Sequence, residues 1–469
     1  MNTRKTLEHY IDENFQGTLK DIQKIIKIKT VKEESTDGAP FGLGIKKGLE
    51  ETLKIAQDLG FKTVNLDNYI GYAEFGEGEE YIGILGHIDV VPEGEHSKWS
   101  VPPFSGEIVE RNIISRGALD NKGPIISALY SMKALKECIP TFNHRVRIIF
   151  GTNEESGDED IKYYLSKEKA PKYAFTPDGQ FPVVFSEKGI YTFSFKDSFL
   201  KEDTSILDIV GGTRSNVVPE EAKVYLKKDL FQKVLKELES FKNSSCKFEV
   251  LEKENYLEII CKGIPAHASS PHRGINPITW LFRFLNEVIS EKDSLKRFVN
   301  FMDKVVGIET DGRGLDIKTE NEETGDLTLS CGIVKVMTQE KKSSIYVKFN
   351  IRYPVTTNEK QLDATLDKVG KDNEVEFIKE NHNAPLYFSK EHPLVKKLQK
   401  VFKDITDRDD KPVALGGGTY AKLMPNTVAF GPNFKEFRGN PHGFDEKMDI
   451  DMLKQGMLMY ALGVLELAH

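Results

Sequence analysis

The feature that most constrains this chain is YIGILG at residues 81–86, a near-continuous apolar run that ends directly on His87, Ile88 and Asp89. Such a run has no polar face to turn to water, so it predicts a strand covered on both sides, as strands of parallel sheets are. RVRIIF (145–150) and KYAFTP (172–177) repeat the pattern. The first is followed by Glu154 and Glu155, and the second runs into Asp178. Helical stretches lie between the strands. GPIISALYSMKALKEC (123–138) carries Pro124 in its first turn, where a missing N–H costs nothing. GIKKGLEETLKIAQDL (44–59) sets Leu49, Leu53, Ala56 and Leu59 at helical spacing, with Gly60 as a stop. This alternation predicts an α/β fold, a mostly parallel mixed sheet with helices on both faces.

From about Glu187 the texture changes. AKVYLKKD, DLFQKVLKELESF and KFEVLEKENYLEIICKG read as strand, helix and hairpin, and SSIYVKFNIRYP, NEKQLDATLDKVG and NEVEFIKENHNAP repeat the order. This predicts an inserted α+β domain built of two β-α-β-like halves. After about Pro385 the α/β texture resumes and closes on a helix with Ile450, Leu453, Met457, Tyr460, Val464 and Leu467 in one apolar stripe. A chain of 469 residues is too long for one core. The expected organisation is one domain of residues 1–186 and 385–469, interrupted by an insert of residues 187–384.

Bulk properties exclude some classes. A formal charge of −8 argues against a nucleic-acid partner, which needs clustered Lys and Arg. No apolar run is long enough to span a membrane. MNTRKTLEHYIDENFQG lacks the apolar segment of a secretory leader, which predicts a cytoplasmic protein. Cys138, Cys246, Cys261 and Cys331 are widely spaced and read as reduced thiols.

The chemistry lies where the strands end. In an open α/β sheet, ligands bind at the carboxyl ends of the strands. His87, Glu154, Glu155 and Asp178 all fall there, and Asp120, in SRGALDNKGP, precedes a helix start. Converging Asp120, Glu154, Glu155 and Asp178 would repel one another unless something positive lies between them. Oxygen and nitrogen donors with no thiolate suit zinc or manganese, with cobalt also compatible. With His442 completing the set, three carboxylates, two neutral imidazoles and a bridging hydroxide carry four negative charges. Two divalent metal ions, about 3.5–4 Å apart, neutralise them.

SRGALDNKG, GTNEESG and the His87-Ile-Asp89 strand end closely resemble the co-catalytic zinc exopeptidases, a family that includes carboxypeptidase G, aminoacylase and the PepV-type dipeptidases. The resemblance covers nearly the whole chain, and its length and large insert look most like the PepV-type dipeptidases. It implies that His87 and Asp178 bind one metal, Glu155 and His442 the other, and Asp120 both. His442, in GNPHGFDE, matches the family's last ligand. Asp89 would accept a hydrogen bond from the far nitrogen of His87, and Glu154 would be the general base. The peptide between Asp120 and Asn121 is expected to be cis.

The resemblance further implies that the insert acts as a lid and supplies Asn216, His267 and Arg352 to a small peptide substrate. His267 suits an oxyanion donor and Arg352 a bidentate grip on a carboxylate. Gly416-Gly417-Gly418-Thr419 lacks the lysine of a phosphate-binding loop. It reads instead as a backbone nest in which Gly417, Gly418 and Thr419 receive the substrate's terminal carboxylate. A duplicated insert predicts a monomer. The leading activity is hydrolysis of unblocked dipeptides. Its rivals are deacylation or desuccinylation of N-acyl amino acids and, from another class, metal binding without catalysis.

Overall fold

The computed structural model describes residues 3–142, 144–339 and 342–469. They fall into two compact units, one within 3–186, 387–415 and 419–469, the other within 187–339, 342–386 and 416–418.

The first unit is built on a nine-stranded sheet. Seven of its strands follow the order Lys62–Leu66, Ile70–Phe75, His144–Gly151, Glu77–His87, Tyr173–Thr176, Thr427–Ala429, Val184–Glu187. The four in the middle, from His144–Gly151 to Thr427–Ala429, run parallel, and the pairings at the edges are antiparallel. In Glu77–His87 every residue from Tyr81 onward is buried, as the apolar run predicts. The register pairs His87 with Gly151, so two of the predicted strand ends open on one edge. The helix Lys122–Cys138 buries most of its length, and Ile450–Ala468 packs beside it with Leu453, Met457, Tyr460, Val464 and Leu467 inside the core.

The second unit is an eight-stranded sheet in which every neighbouring pair is antiparallel. Its order is Lys247–Glu252, Tyr256–Lys262, Glu221–Lys227, Ile206–Gly211, Thr328–Gln339, Lys342–Tyr353, Gly189–Leu200, Glu376–Asn383. The order reads as two halves meeting at Ile206–Gly211 and Thr328–Gln339. In one half the helix Phe231–Phe241 connects Glu221–Lys227 to Lys247–Glu252, with Tyr256–Lys262 between the two strands. In the other, Glu359–Asp372 connects Lys342–Tyr353 to Glu376–Asn383, with Gly189–Leu200 between. The duplicated strand-helix-strand reading of the insert therefore describes its sheet.

No helix among the described residues is long and apolar enough to cross a membrane.

The core of the second unit is aromatic. Phe193 is fully buried, stacks on Phe349 at 5.0 Å and meets Phe195 edge-on at 5.4 Å. Truncating such a ring loses its transfer free energy and leaves a cavity. Phe193→Ala should destabilise this unit by about 3–5 kcal/mol, read from urea unfolding followed by the fluorescence of Trp280, which packs against the same core. A loss below about 1 kcal/mol would contradict the packing described.

Candidate metal centre

The parallel strands and two loops of the first unit bring imidazoles and acids together. His87 is fully buried at the end of its strand. Its Nδ1 lies 3.0 Å from the carbonyl oxygen of Asp89. With Nδ1 donating there, Nε2 is left to face the acids. That nitrogen lies 3.1 Å from Asp120 Oδ1 and 3.6 Å from Asp178 Oδ2. His442 enters from the loop before the last helix. Its Nε2 is 3.0 Å from Asp120 Oδ2 and 3.1 Å from Glu155 Oε1. Asp120 thus stands between the two imidazoles, one oxygen toward each. Glu154 also belongs here: its carboxylate, His87 and Asp178 each place an oxygen or nitrogen atom within 4.8 Å of the others, as do His87, Asp120 and Glu155.

Local structure explains these positions. The Asp120–Asn121 peptide is cis, as the resemblance implied. Asn121 is buried and ties two elements together: its Oδ1 accepts from the His87 N–H at 3.3 Å, and its Nδ2 donates to the Pro177 carbonyl at 2.6 Å, next to Asp178. Gly86 allows this approach, since a Cβ there would strike Asn121 Oδ1. Glu154 and Glu155 open the short 3-10 turn Glu154–Ser156, whose first N–H groups need acceptors. The Asp89 carboxylate provides them, taking Glu154 N at 3.2 Å and Glu155 N at 3.1 Å. The bond expected from His87 to this carboxylate goes instead to the Asp89 carbonyl, while Oδ1 stays 3.4 Å away. Asp89 accordingly aligns both His87 and the glutamate pair.

Two further groups support this arrangement. Buried Asp160 accepts from Thr152 N at 2.6 Å, Asn153 N at 3.0 Å and the Tyr420 hydroxyl, and the Tyr420 ring meets His87 edge-on. Buried Glu446 holds the Leu119–Asp120 backbone. None of Asn121, Asp160, Tyr420 or Glu446 was singled out as a site residue from sequence. The available signals were that Asn121 lies inside SRGALDNKG and Glu446 ends GNPHGFDE.

Acids and imidazoles crowd together at this centre and shift one another. Burial opposes charge on both imidazoles, yet Asp120, Asp178 and Asp89 hold the His87 pKa well above its usual value. Likewise Asp120 and Glu155 lift His442 to about 11. Burial, with the Asp120 charge, pushes Glu155 up to about 7 and Asp178 to about 6. Glu154, half-buried, desolvated and facing Asp178, Glu155 and Asp120, is raised well above the carboxylate range. Asp120 alone moves down, because His442 and His87 outweigh its burial. Glu155 Oε1 is buried and accepts no hydrogen bond, although His442 Nε2 is near it, an approach suited to a shared metal ligand set. The donors are all oxygen and nitrogen, and they fit divalent metal.

The model of peptidase family M20/M25/M40 matches residues 83–466. The chain belongs to this family. Its curated relatives include YtjP of Bacillus subtilis (strain 168), 34% identical over 460 residues with 97% of each chain covered. Another is the Beta-Ala-Xaa dipeptidase of Lactobacillus delbrueckii subsp. lactis, 33% identical over 459 residues, covering 96% of this chain and 95% of that one. Human carnosine dipeptidase 1 shares the fold, with a TM-score of 0.61 at 15% identity over 100% of this chain and 99% of that one. This M20 chain is a metallopeptidase, and the acids and imidazoles above are groups able to hold its metal.

The predicted substrate groups fall elsewhere in the M20 chain. Asn216, His267, Arg352, Gly417 and Gly418 belong to the second unit, Thr419 to the first. Val217–Val218 pairs with Ala266–His267, which sets Asn216 beside His267. Ser269 N donates to His267 Nδ1 at 3.2 Å, so the neutral ring carries its hydrogen on Nε2. Arg352 is buried; its Nε donates to Asn350 Oδ1 at 2.8 Å and its Nη1 to the Gly416 carbonyl at 3.4 Å. Among the described residues no carboxylate pairs with it, and burial lowers its pKa to about 10. Thr419 caps the turn Tyr420–Lys422, accepting from Ala421 N at 3.1 Å.

Replacing the shared acid tests the centre directly. Asp120→Ala should retain the far-ultraviolet circular dichroism of the parent and lose at least about 10-fold in divalent-metal affinity, measured by equilibrium dialysis with elemental analysis. Undiminished metal content would remove Asp120 from the ligand set.

Proposed function

We propose that this M20 peptidase is a dipeptidase with two divalent metal ions, zinc or manganese, that cleaves unblocked dipeptides. His87 and Asp178 would hold one ion and Glu155 and His442 the other, with Asp120 shared. When bound, the ions supply Lewis acidity, polarising the scissile carbonyl and acidifying water. The remaining steps belong to the chain. Glu154, whose crowding among other acids raises the proton affinity of its carboxylate, acts in its ionised form: the carboxylate takes a proton from the attacking water and returns it to the leaving amine. Asp89 keeps Glu154 aimed through its backbone N–H. His267, with its hydrogen on Nε2, is a donor suited to the developing oxyanion, and Asn216 beside it offers an amide to the same end of the substrate.

The observation that carries the substrate assignment is Arg352. A buried guanidinium with no carboxylate partner among the described residues is a demand for an anion. A free peptide terminus supplies one, with Gly417, Gly418 and Thr419 as further donors. The dipeptidase reading is also supported by the name of the Lactobacillus relative. We read the chain as a cytoplasmic monomer: its cysteines form no disulfide, and the two halves of the inserted sheet pair with each other.

A panel of free dipeptides, β-alanyl dipeptides included, assayed against N-acetyl and N-succinyl amino acids should show turnover of the dipeptides. Preference for the acylated compounds would overturn the assignment. In the same panel Glu154→Gln should keep its metal and lose about 10²- to 10⁴-fold in kcat; unaltered turnover would remove Glu154 from the proton-transfer role. Size-exclusion chromatography with light scattering should return the mass of one 53.1 kDa chain, and a stable dimer would refute the monomer.

A further inference from the structure

Four residues beyond His442, the chain carries a carboxylate that takes no place in the proposed ligand set. Glu446 is fully buried. Its Oε1 accepts two successive backbone N–H groups, Leu119 and Asp120, each at 3.0 Å. Its Oε2 pairs with Arg116 Nη1 at 2.6 Å. Its backbone carbonyl accepts from Ser115 N at 2.9 Å. One residue therefore holds both ends of the segment that leads into Asp120. Arg116 is itself buried, lies over the Trp99 ring at 5.3 Å and reaches the Pro92 carbonyl with Nη2 at 3.4 Å.

The other side of Glu446 is the His442 loop. Gly439 and Lys447 close that loop with a hydrogen bond of 2.8 Å, Lys447 N to Gly439 O. Inside it Asn440, His442 and Asp445 all have positive φ, 54°, 62° and 51°. Asn440 Nδ2 spans to the Phe444 carbonyl at 2.6 Å, and Asp445 Oδ1 takes Ser100 N at 2.8 Å. Glu446 is the exit of this loop. Asp120 and His442, more than three hundred residues apart in sequence, are thus joined through one side chain as well as through their own 3.0 Å approach.

We propose that Glu446 is a positioning residue that locks the Asp120 and His442 loops together and so sets the affinity of the centre for divalent cations. The physical case rests on what each atom does. Stability alone does not call for a carboxylate here, since a buried ion pair is often no better than a well-packed apolar pair. Few other side chains accept two adjacent N–H groups on one oxygen while meeting a guanidinium with the other. A bound cation needs its ligand atoms held to a few tenths of an ångström, and the groups behind the ligands provide that. Losing one such group typically costs metal affinity without removing a ligand.

The inference rests on the metal reading above, and the test separates the two. Metal-stripped wild type, Glu446→Gln and Glu446→Asp are titrated with Mn(II) alone by calorimetry, with the thermal midpoint of each metal-free form recorded. Glu446→Gln keeps one oxygen acceptor but turns an amide toward Arg116; Glu446→Asp keeps the charge and withdraws it by one methylene. Expected is a loss of Mn(II) affinity of about 10- to 100-fold in Glu446→Gln, a smaller loss in Glu446→Asp, and lowered kcat for both at saturating Mn(II). Wild-type affinity in a folded Glu446→Gln overturns the inference, even if its thermal midpoint falls. Should that variant not fold, the affinity of Glu446→Asp decides on the same terms. No Mn(II) uptake by wild type would overturn the metal reading and the inference with it.

Discussion

The centre depends on a single shared carboxylate. Asp120 offers one oxygen to His87 and the other to His442. The same acid lies just before the helix Lys122–Cys138, and its backbone N–H is held by the Glu446 carboxylate at 3.0 Å. Its position sorts the neighbouring acids into roles. Asp120, flanked by both imidazoles, is the carboxylate whose ionised form is stabilised. Glu155 meets one imidazole and rises to about 7, whereas Glu154 is raised well above its usual range. A raised acid holds its proton more tightly and an ionised one attracts cations, so crowding of this kind spreads the acids of one centre over different proton affinities.

The fold supports this arrangement with backbone hydrogen bonds rather than with bulk. Asp89 takes the N–H groups of Glu154 and Glu155, Asn121 joins the His87 and Asp178 strand ends, Asp160 holds Thr152 and Asn153, and Glu446 holds Leu119 and Asp120. Each is a polar side chain buried against loop backbone that would otherwise lack partners. The cost of desolvating these groups is offset only when every bond is made, so the loops have one good arrangement.

Much of the centre was legible in the sequence. An apolar strand that stops on His87, and others followed by Glu154-Glu155 and Asp178, announce a sheet edge bearing chemistry, and the structure brings those residues together. His442 carried no such local signal: it lies in a polar loop at positive φ, and the likeness to known motifs, with the charge balance, pointed to it. Glu446 and Asp160 were illegible for a related reason. An acid among other acids, at a helix start for Asp160 and in a polar loop for Glu446, looks like solvated surface, and its burial depends on contacts from residues hundreds of positions away. Asp89 was legible as a partner of His87, but which of its oxygens the ring would meet was decided by the two N–H groups competing for the carboxylate.

The same reasoning explains why the strand-end rule found nothing in the insert. A parallel sheet points all its strands one way, so their last residues collect on a common edge, and the chemistry can be read from where apolar runs stop. In an antiparallel sheet successive strands end on opposite edges. Arg352 therefore lies near the end of one strand, His267 in a two-residue bridge and Asn216 just before another. What betrays Arg352 is energetic rather than topological: it is a buried cation that the described residues leave without an acid. Charge burial without compensation is a cost that folding alone does not repay. An anion from outside the chain would balance the residue, which is why the proposed recognition rests on that imbalance while the proposed chemistry rests on the sheet edge.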